Sequence, residues 1–441
     1  MSVFAETFAL RRQKLMALMA PNSIAVFPAA SVKIRSRDTD YHFRQDSDFY
    51  YLSGFSEPQA LLVLAPGRAE GEFIICCRER NRDKEIWEGL MAGPEGAMAE
   101  FGADEAFTID HAAELLPGLL DGVDSVYYPM AVDESFDAQV MSWLGTVRAK
   151  ARAGAQAPST FCDVNPLIHQ LRLVKSEQEI ATMRASCELA AKAHVRAMKA
   201  CRTGLYEYQL EAEIMHAFAM SGARSAAYNT IVGGGHNACI LHYTENKALL
   251  HEGDLVLIDA GCELDFYAAD ITRTFPVSGK FSVEQAALYA LVLKAQDAAI
   301  GVIAPGCKWN EPHDESVRVI TEGLVELGLL KGDVATLIAG NDYKRFYMHR
   351  VGHWLGMDVH DVGAYKIEGQ WRELEPGMAM TVEPGLYVQA DDETVDARWR
   401  GIGIRIEDDV VVTLEGCEVL TGGVPKAIDE IEAVMAEGAK D

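Results

Sequence analysis

Asp259 and Asp270 are the residues whose setting first calls for chemistry. They lie in Asp254–Pro276, where Leu255–Ala260 and Phe266–Phe275 are rich in apolar, β-branched and aromatic residues and Glu263-Leu264-Asp265 forms a polar knot between them. That pattern reads as a β-hairpin. A turn centred between Leu264 and Asp265 predicts Asp259 directly opposite Asp270, with both carboxylates on one face. Leu-Asp is a poor two-residue turn, and a longer loop would change the register. Opposed carboxylates repel, and on a strand suited to burial they call for a positive charge between them. A divalent cation, which takes hard oxygen ligands, supplies it, and two cations about 3.5–4 Å apart activate water in many hydrolases. A solvated acidic face is the plainer alternative; the apolar setting of Asp259 weighs against it.

Two such ions need further ligands, and the sequence offers them downstream. Glu383 is the one charge in the apolar run Met378–Val388, which Pro384-Gly385 interrupts. In Gly401–Thr413 the alternation places Gly403, Arg405 and Glu407 on one face, so Arg405 is expected to hold the Glu407 carboxylate ionised. A nitrogen ligand is sought in His349–Gly363, where His349, His353 and His360 stand among closely spaced glycines. His242 is a further imidazole.

The words around these residues carry a resemblance. Asp259-Ala-Gly, Asp270-Ile-Thr-Arg-Thr-Phe, Gly352-His-Trp-Leu-Gly-Met-Asp-Val-His-Asp361, Thr381-Val-Glu-Pro-Gly and Gly403-Ile-Arg-Ile-Glu-Asp resemble the pita-bread metallopeptidases, and within them the aminopeptidase P group. Tyr41–Phe55, Tyr228–Gly233 and His242–Asn246 are similar to that group too, so the likeness covers nearly the whole chain. It implies two divalent metal ions, usually Mn²⁺, with Asp259 and Asp270 on one, His353 on the other, and Asp270, Glu383 and Glu407 shared. It implies Glu383 as the proton carrier and His242, His349 and His360 as groups that bind substrate and stabilise the tetrahedral intermediate. Arg405, Tyr365 and Tyr228 are expected beside the ligands or the substrate. Trp87 resembles a tryptophan that borders a neighbouring subunit's site, although an ordinary exposed loop residue would look the same. Two departures stand out. Arg350 occupies a position that is often glycine, and Lys366–Glu373 is a segment that varies within the family.

The elements that must position these residues form two groups. Strands at Ser23–Phe27, Ala60–Ala65, Phe73–Cys77 and Val126–Tyr128 alternate with helices at Asp110–Leu120 and Phe136–Lys150, as in an α/β domain with a mixed or largely parallel sheet. Ser176-Glu-Gln-Glu179 is a capping box opening a helix to about Cys201, whose stripe includes a packed His194. The domains are therefore expected at 1–174, α/β and creatinase-like by resemblance, with a role in oligomerisation and the site rim, and at 175–441, an α+β pita-bread catalytic domain. In the second, Ala226–Val232 reads as a strand, Gly233-Gly-Gly235 as a loop, and Val283–Ile303 and Asn310–Leu327 as helices.

Composition bounds the partners. A formal charge of −26 without a basic run argues against nucleic acid and anionic membranes. No apolar run reaches the ~18–20 residues of a membrane span, and Glu6, Arg11, Arg12 and Lys14 stand where a signal peptide needs its apolar core. Nine scattered cysteines, an odd number with no C-x-x-C, suit a reducing cytoplasm.

The leading expectation is hydrolysis of the first peptide bond of chains with proline in second position, by a homo-oligomer, dimer or tetramer. Trp354 and Leu355 are expected to form an apolar wall for the proline ring. The alternatives are an Xaa-Pro dipeptidase (prolidase), which needs a cation near the proline carboxylate, and a non-catalytic pita-bread protein-binding module, which would have lost ligands.

Overall fold

The computed structural model describes residues 3–438, and the chain divides into two compact units, Met1–Leu171 and Arg172–Asp441.

The first unit is built on a six-stranded sheet. Its order is Glu105–Thr108, Phe73–Cys77, Leu61–Leu64, Ser23–Pro28, Ser125–Tyr128, Thr160–Asp163. The outer pairings are parallel and the two involving Leu61–Leu64 are antiparallel, a mixed sheet. Its central strands are buried on both faces, which explains their nearly continuous apolar sequence. Leu116, Leu120, Phe136, Val140 and Trp143, from helices Ala112–Leu120 and Glu134–Ala149, pack on Ile24, Val63, Ile74 and Val126.

In the second unit the helix Glu177–Ala200 opens on the Ser176/Glu179 capping box. His194 in its stripe is fully buried, with Nε2 2.8 Å from the Ala260 carbonyl oxygen. Helix Val283–Gly301 opens on a like capping box from Ser282 and Gln285, and Glu207–Met220 and Glu311–Glu326 likewise bury one side. The strands make small sheets: Ile231–Gly234, Leu255–Asp259, Thr272–Pro276 in that order; Ala379–Val382, Asp408–Val412, Cys417–Val419; and the pair Gly385–Tyr387 with Gly403–Arg405.

Three local readings are corrected. Ala226–Val232 is not one strand, because Ser225–Ala226 and Ile231–Gly234 belong to different sheets. Gly233 and Gly234 are strand rather than loop; a Cβ on Gly234 would lie 2.4 Å from Leu250, so glycine serves close packing there. Gly401–Thr413 is also broken, Gly403–Arg405 and Asp408–Val412 pairing with different partners.

Candidate metal centre and peptide cleft

Asp259 ends its strand and Asp270 stands just before Thr272–Pro276. The ladder pairs Asp259 with Thr272, not with Asp270. The Glu263–Ala268 and Leu264–Tyr267 pairs place the turn on Asp265-Phe266, both left-handed at φ 47° and 70°, the geometry of a two-residue type I′ connection. Moving the turn by one residue slips the pairing by two, and a slip of two keeps the face. Asp270 is therefore the diagonal neighbour of Asp259, with both side chains on one side. Tyr228 Oη lies 2.6 Å from Asp259 Oδ1 and 2.5 Å from Asp270 Oδ1, so the two carboxyl groups converge on one phenol. Between them the ladder crosses Gly261, where a Cβ would fall 1.6 Å from the Ala269 carbonyl oxygen.

Glu407 meets this hairpin through a bridge to Thr272, whose Oγ1 donates to Glu407 Oε2 at 2.6 Å. Arg405 does not hold Glu407 directly. Its Nη2 donates to Asp259 Oδ2 at 2.6 Å, its Nε to Thr272 Oγ1 at 3.1 Å and its Nη1 to Tyr387 Oη at 3.0 Å. Arg405 and Glu407 do share a face, since both meet Thr272 Oγ1 and both line the same cavity, but the guanidinium spends its direct contact on Asp259.

His353 arrives on the turn-rich segment after His349. Its Nδ1 donates to the Trp354 carbonyl at 2.9 Å, which turns Nε2 toward Asp270 Oδ2 at 3.4 Å and Glu383 Oε1 at 3.7 Å. Donor atoms of Asp270, His353 and Glu407 all lie within 4.8 Å of one another. Burial first, then the neighbouring carboxylates, holds Glu407 well above the carboxylate range and raises Asp270. Burial likewise lifts Glu383 to about 7. Burial pulls the His353 imidazole down, but Asp270 and Glu383 outweigh it and raise it to about 9.

These groups fit a divalent metal pair. The donor set is four carboxylates and one imidazole, a mainly hard set. The carboxyls crowd in a buried space, and the histidine turns Nε2 toward them while its other nitrogen is fixed by a carbonyl, as ligating histidines do.

A cavity of about 940 Å³ opens above this floor. His242, His349, His360, Tyr228 and Tyr365 line it together with the five acidic and imidazole residues and Arg405. His349 has both nitrogens engaged, Nδ1 with the Arg350 carbonyl at 2.7 Å and Nε2 with Tyr387 Oη at 2.9 Å. Burial and then Arg405 push it down to about 4, so it is neutral. Burial also lowers His360, whose ring lies 4.1 Å from that of His353.

The expected apolar wall is elsewhere. Trp354 and Leu355 are fully buried in the core, and the cavity's apolar surface comes from Ile231, Leu241, Trp309, Val359 and Trp371. Trp309 stacks among Trp354 and Tyr365, with centroids 4.0 and 4.7 Å away. Trp309, Trp371 and Tyr387 had no local signal, because nothing in their sequence neighbourhoods marks them as facing a site. Asp409 has no marked signal either; its Oδ2 accepts the Asp270 amide at 2.9 Å and fixes the Asp270 backbone. The Glu-Asp-Asp run alone could have pointed to it. Trp87 lies in the first unit on helix Arg82–Glu88, 88% exposed.

Fold and donor set together define a metallopeptidase: the chain belongs to metallopeptidase family M24, which it matches over residues 181–414, a span containing all five donors. Residues 8–127 match the aminopeptidase P N-terminal domain. More particularly, the chain is 47% identical to the Xaa-Pro aminopeptidase of Escherichia coli K12 over 99% of this chain and 98% of that one. Among solved structures it is similar to Pseudomonas aeruginosa aminopeptidase PepP, with TM-score 0.98, 57% identity and 99% of each chain covered. It is similar too to aminopeptidase P from E. coli with the inhibitor Pro-Leu, with TM-score 0.96, 47% identity and 99% of each chain covered.

Proposed function

We propose that this chain is an Xaa-Pro aminopeptidase, releasing the N-terminal residue from peptides with proline in second position. The observation that carries the proposal is the convergence of Asp259, Asp270, His353, Glu383 and Glu407 at one cavity floor, in a chain so similar to Xaa-Pro aminopeptidases. Asp259 and Asp270 would hold one divalent ion, His353 the other, and Asp270, Glu383 and Glu407 would be shared. Bound there, two ions, Mn²⁺ in this reading, would supply Lewis acidity and lower the pKa of a water nucleophile.

The chain's own residues do the rest. The Glu383 carboxyl, with a proton affinity near neutrality in the chain alone, takes a proton from the attacking water and delivers it to the departing proline nitrogen. His242 and His360 hold the substrate carbonyl as its oxygen gains charge. His349, neutral and engaged on both nitrogens, orients Tyr387 and through it Arg405. The negative floor favours an unblocked α-amino group. Trp309 and Trp371 offer the apolar surface that a proline ring needs, while the scissile bond, a tertiary amide, has no N–H for a general peptidase to grip.

The relatives are aminopeptidases, which favours longer peptides over an Xaa-Pro dipeptidase. All five donors are present, which disfavours a non-catalytic module. The reading also includes an N-terminal domain at 1–174 that carries oligomer contacts, a dimer or tetramer with Trp87 near a neighbouring site, and a cytoplasmic location. Nine unpaired cysteines support a reducing compartment. No helix among the described residues is long and apolar enough to cross a membrane. The test is turnover of an Xaa-Pro-Yaa peptide before chelation, after it, and after return of Mn²⁺: loss and recovery are expected, and undiminished turnover by metal-free protein would refute the proposal.

A further inference from the structure

The cavity rim carries two cations that the proposed reaction does not use. Arg350 and Lys366 both line it, and both bear on one indole, with Arg350 Cζ 5.0 Å and Lys366 Nζ 4.3 Å from the Trp371 ring centroid. Local geometry builds this arrangement. Lys366–Ile367 and Gln370–Trp371 form a two-stranded hairpin in which Lys366 pairs with Trp371. Glu368 and Gly369, at φ 49° and 81°, close it in the left-handed conformation that tight hairpins require. Arg350 comes from the segment before His353, with its carbonyl tied to the His349 ring. Among the described residues neither cation has a carboxylate within 4.0 Å. In a chain of formal charge −26, two cations left without an ion-pair partner at the mouth of a cavity are a site for an anion that comes from outside.

We propose that Arg350 and Lys366, seated on Trp371, form a carboxylate subsite for the part of the peptide beyond proline. The group bound is the terminal carboxylate of a short peptide or an acidic side chain. Arg350 offers a planar fork and Lys366 a point charge, while the indole fixes both heads at the rim. The inference rests on the aminopeptidase reading and deepens it: the cleft prefers short or acidic peptides, through binding rather than through the chemical step.

The test uses the Mn²⁺-loaded full chain and three peptides: Xaa-Pro-Gly as free acid, Xaa-Pro-Gly amide and Xaa-Pro-Glu amide. Wild type is compared with Arg350→Ala, Lys366→Ala, the double alanine variant and the double Glu variant. Wild type should cleave the free acid with a kcat/KM roughly fivefold above the amide, mostly through KM. That ratio should shrink with added salt, fall near one in the double alanine variant and invert in the double Glu variant. Recovery of the preference by Xaa-Pro-Glu amide would add the side chain as a source; preference for the free acid alone would assign the terminal carboxylate. A ratio near one in wild type, or an unchanged ratio in the double alanine variant, would overturn the subsite. Failure of wild type to cleave any of the three would instead overturn the aminopeptidase reading.

Discussion

Arg405 Nη2 donates to Asp259 Oδ2 across 2.6 Å, and both residues are buried. The same guanidinium reaches Thr272 and Tyr387, so one side chain ties a proposed metal ligand to the strand that leads to Glu407. Arg405→Ala leaves Asp259 without its partner and should lower metal occupancy or activity about 10- to 100-fold. Arg405→Lys should not rescue it, because a point charge cannot make three divergent contacts. Metal content by elemental analysis beside kcat/KM checks this; wild-type values in both variants would contradict it.

How much of this was legible depended on whether the signal was local. The capping box at Ser176/Glu179, the hairpin after Asp254 and the break at Pro384-Gly385 are written in neighbouring residues. The register was not, since Phe266 in a left-handed turn position runs against turn preferences. The face survived only because the slip was two residues. Arg405 shares its face with Glu407 as alternation predicts, but its ion-pair partner is Asp259, 146 residues away, and no local signal announces a contact made only by the tertiary fold. Trp354 and Trp309 look alike in sequence, and only the tertiary fold buries one in the core and sets the other against the cleft.

Glu383→Gln keeps an oxygen at the site but cannot carry the proton. The expected result is a fall in kcat of about 10²-fold or more with KM little changed. Near-normal kcat with both metals present would move the proton transfer to another residue.

Stability should carry a histidine signature away from the metal floor. Burial, then Arg350, His349 and Lys344, hold His313 down at about 3, and its Nδ1 has no hydrogen-bond partner among the described residues. The folded chain keeps this ring neutral, whereas in the unfolded chain it titrates near 6.5. Below that pH the unfolded chain binds more protons, so this contribution is complete above about pH 6.5 and is lost as pH falls toward 3. Relative to His313→Phe, wild type should therefore lose about 1–2 kcal/mol between pH 7 and pH 5 in urea unfolding. A constant difference between the two proteins would show that His313 is not held neutral.

Metal binding should displace protons, because His353 and Glu383 are both raised in the chain alone and both must be unprotonated to ligate. Mn²⁺ affinity measured by calorimetry should rise from pH 6 to pH 8, with an apparent enthalpy that varies with the buffer's ionisation heat. Affinity independent of pH would contradict the ligand assignment.

The most direct measurement is the cleavage pattern of the Mn²⁺-reconstituted protein on Xaa-Pro-Yaa, Xaa-Ala-Yaa, N-acetylated Xaa-Pro-Yaa and the dipeptide Xaa-Pro, followed by mass spectrometry. The metal floor and indole-lined cleft predict release of the first residue from Xaa-Pro-Yaa, little from the alanine or acetylated peptides, and slower cleavage of the dipeptide. Preference for Xaa-Ala-Yaa would contradict the proline assignment, and cleavage of the dipeptide alone would make the protein an Xaa-Pro dipeptidase.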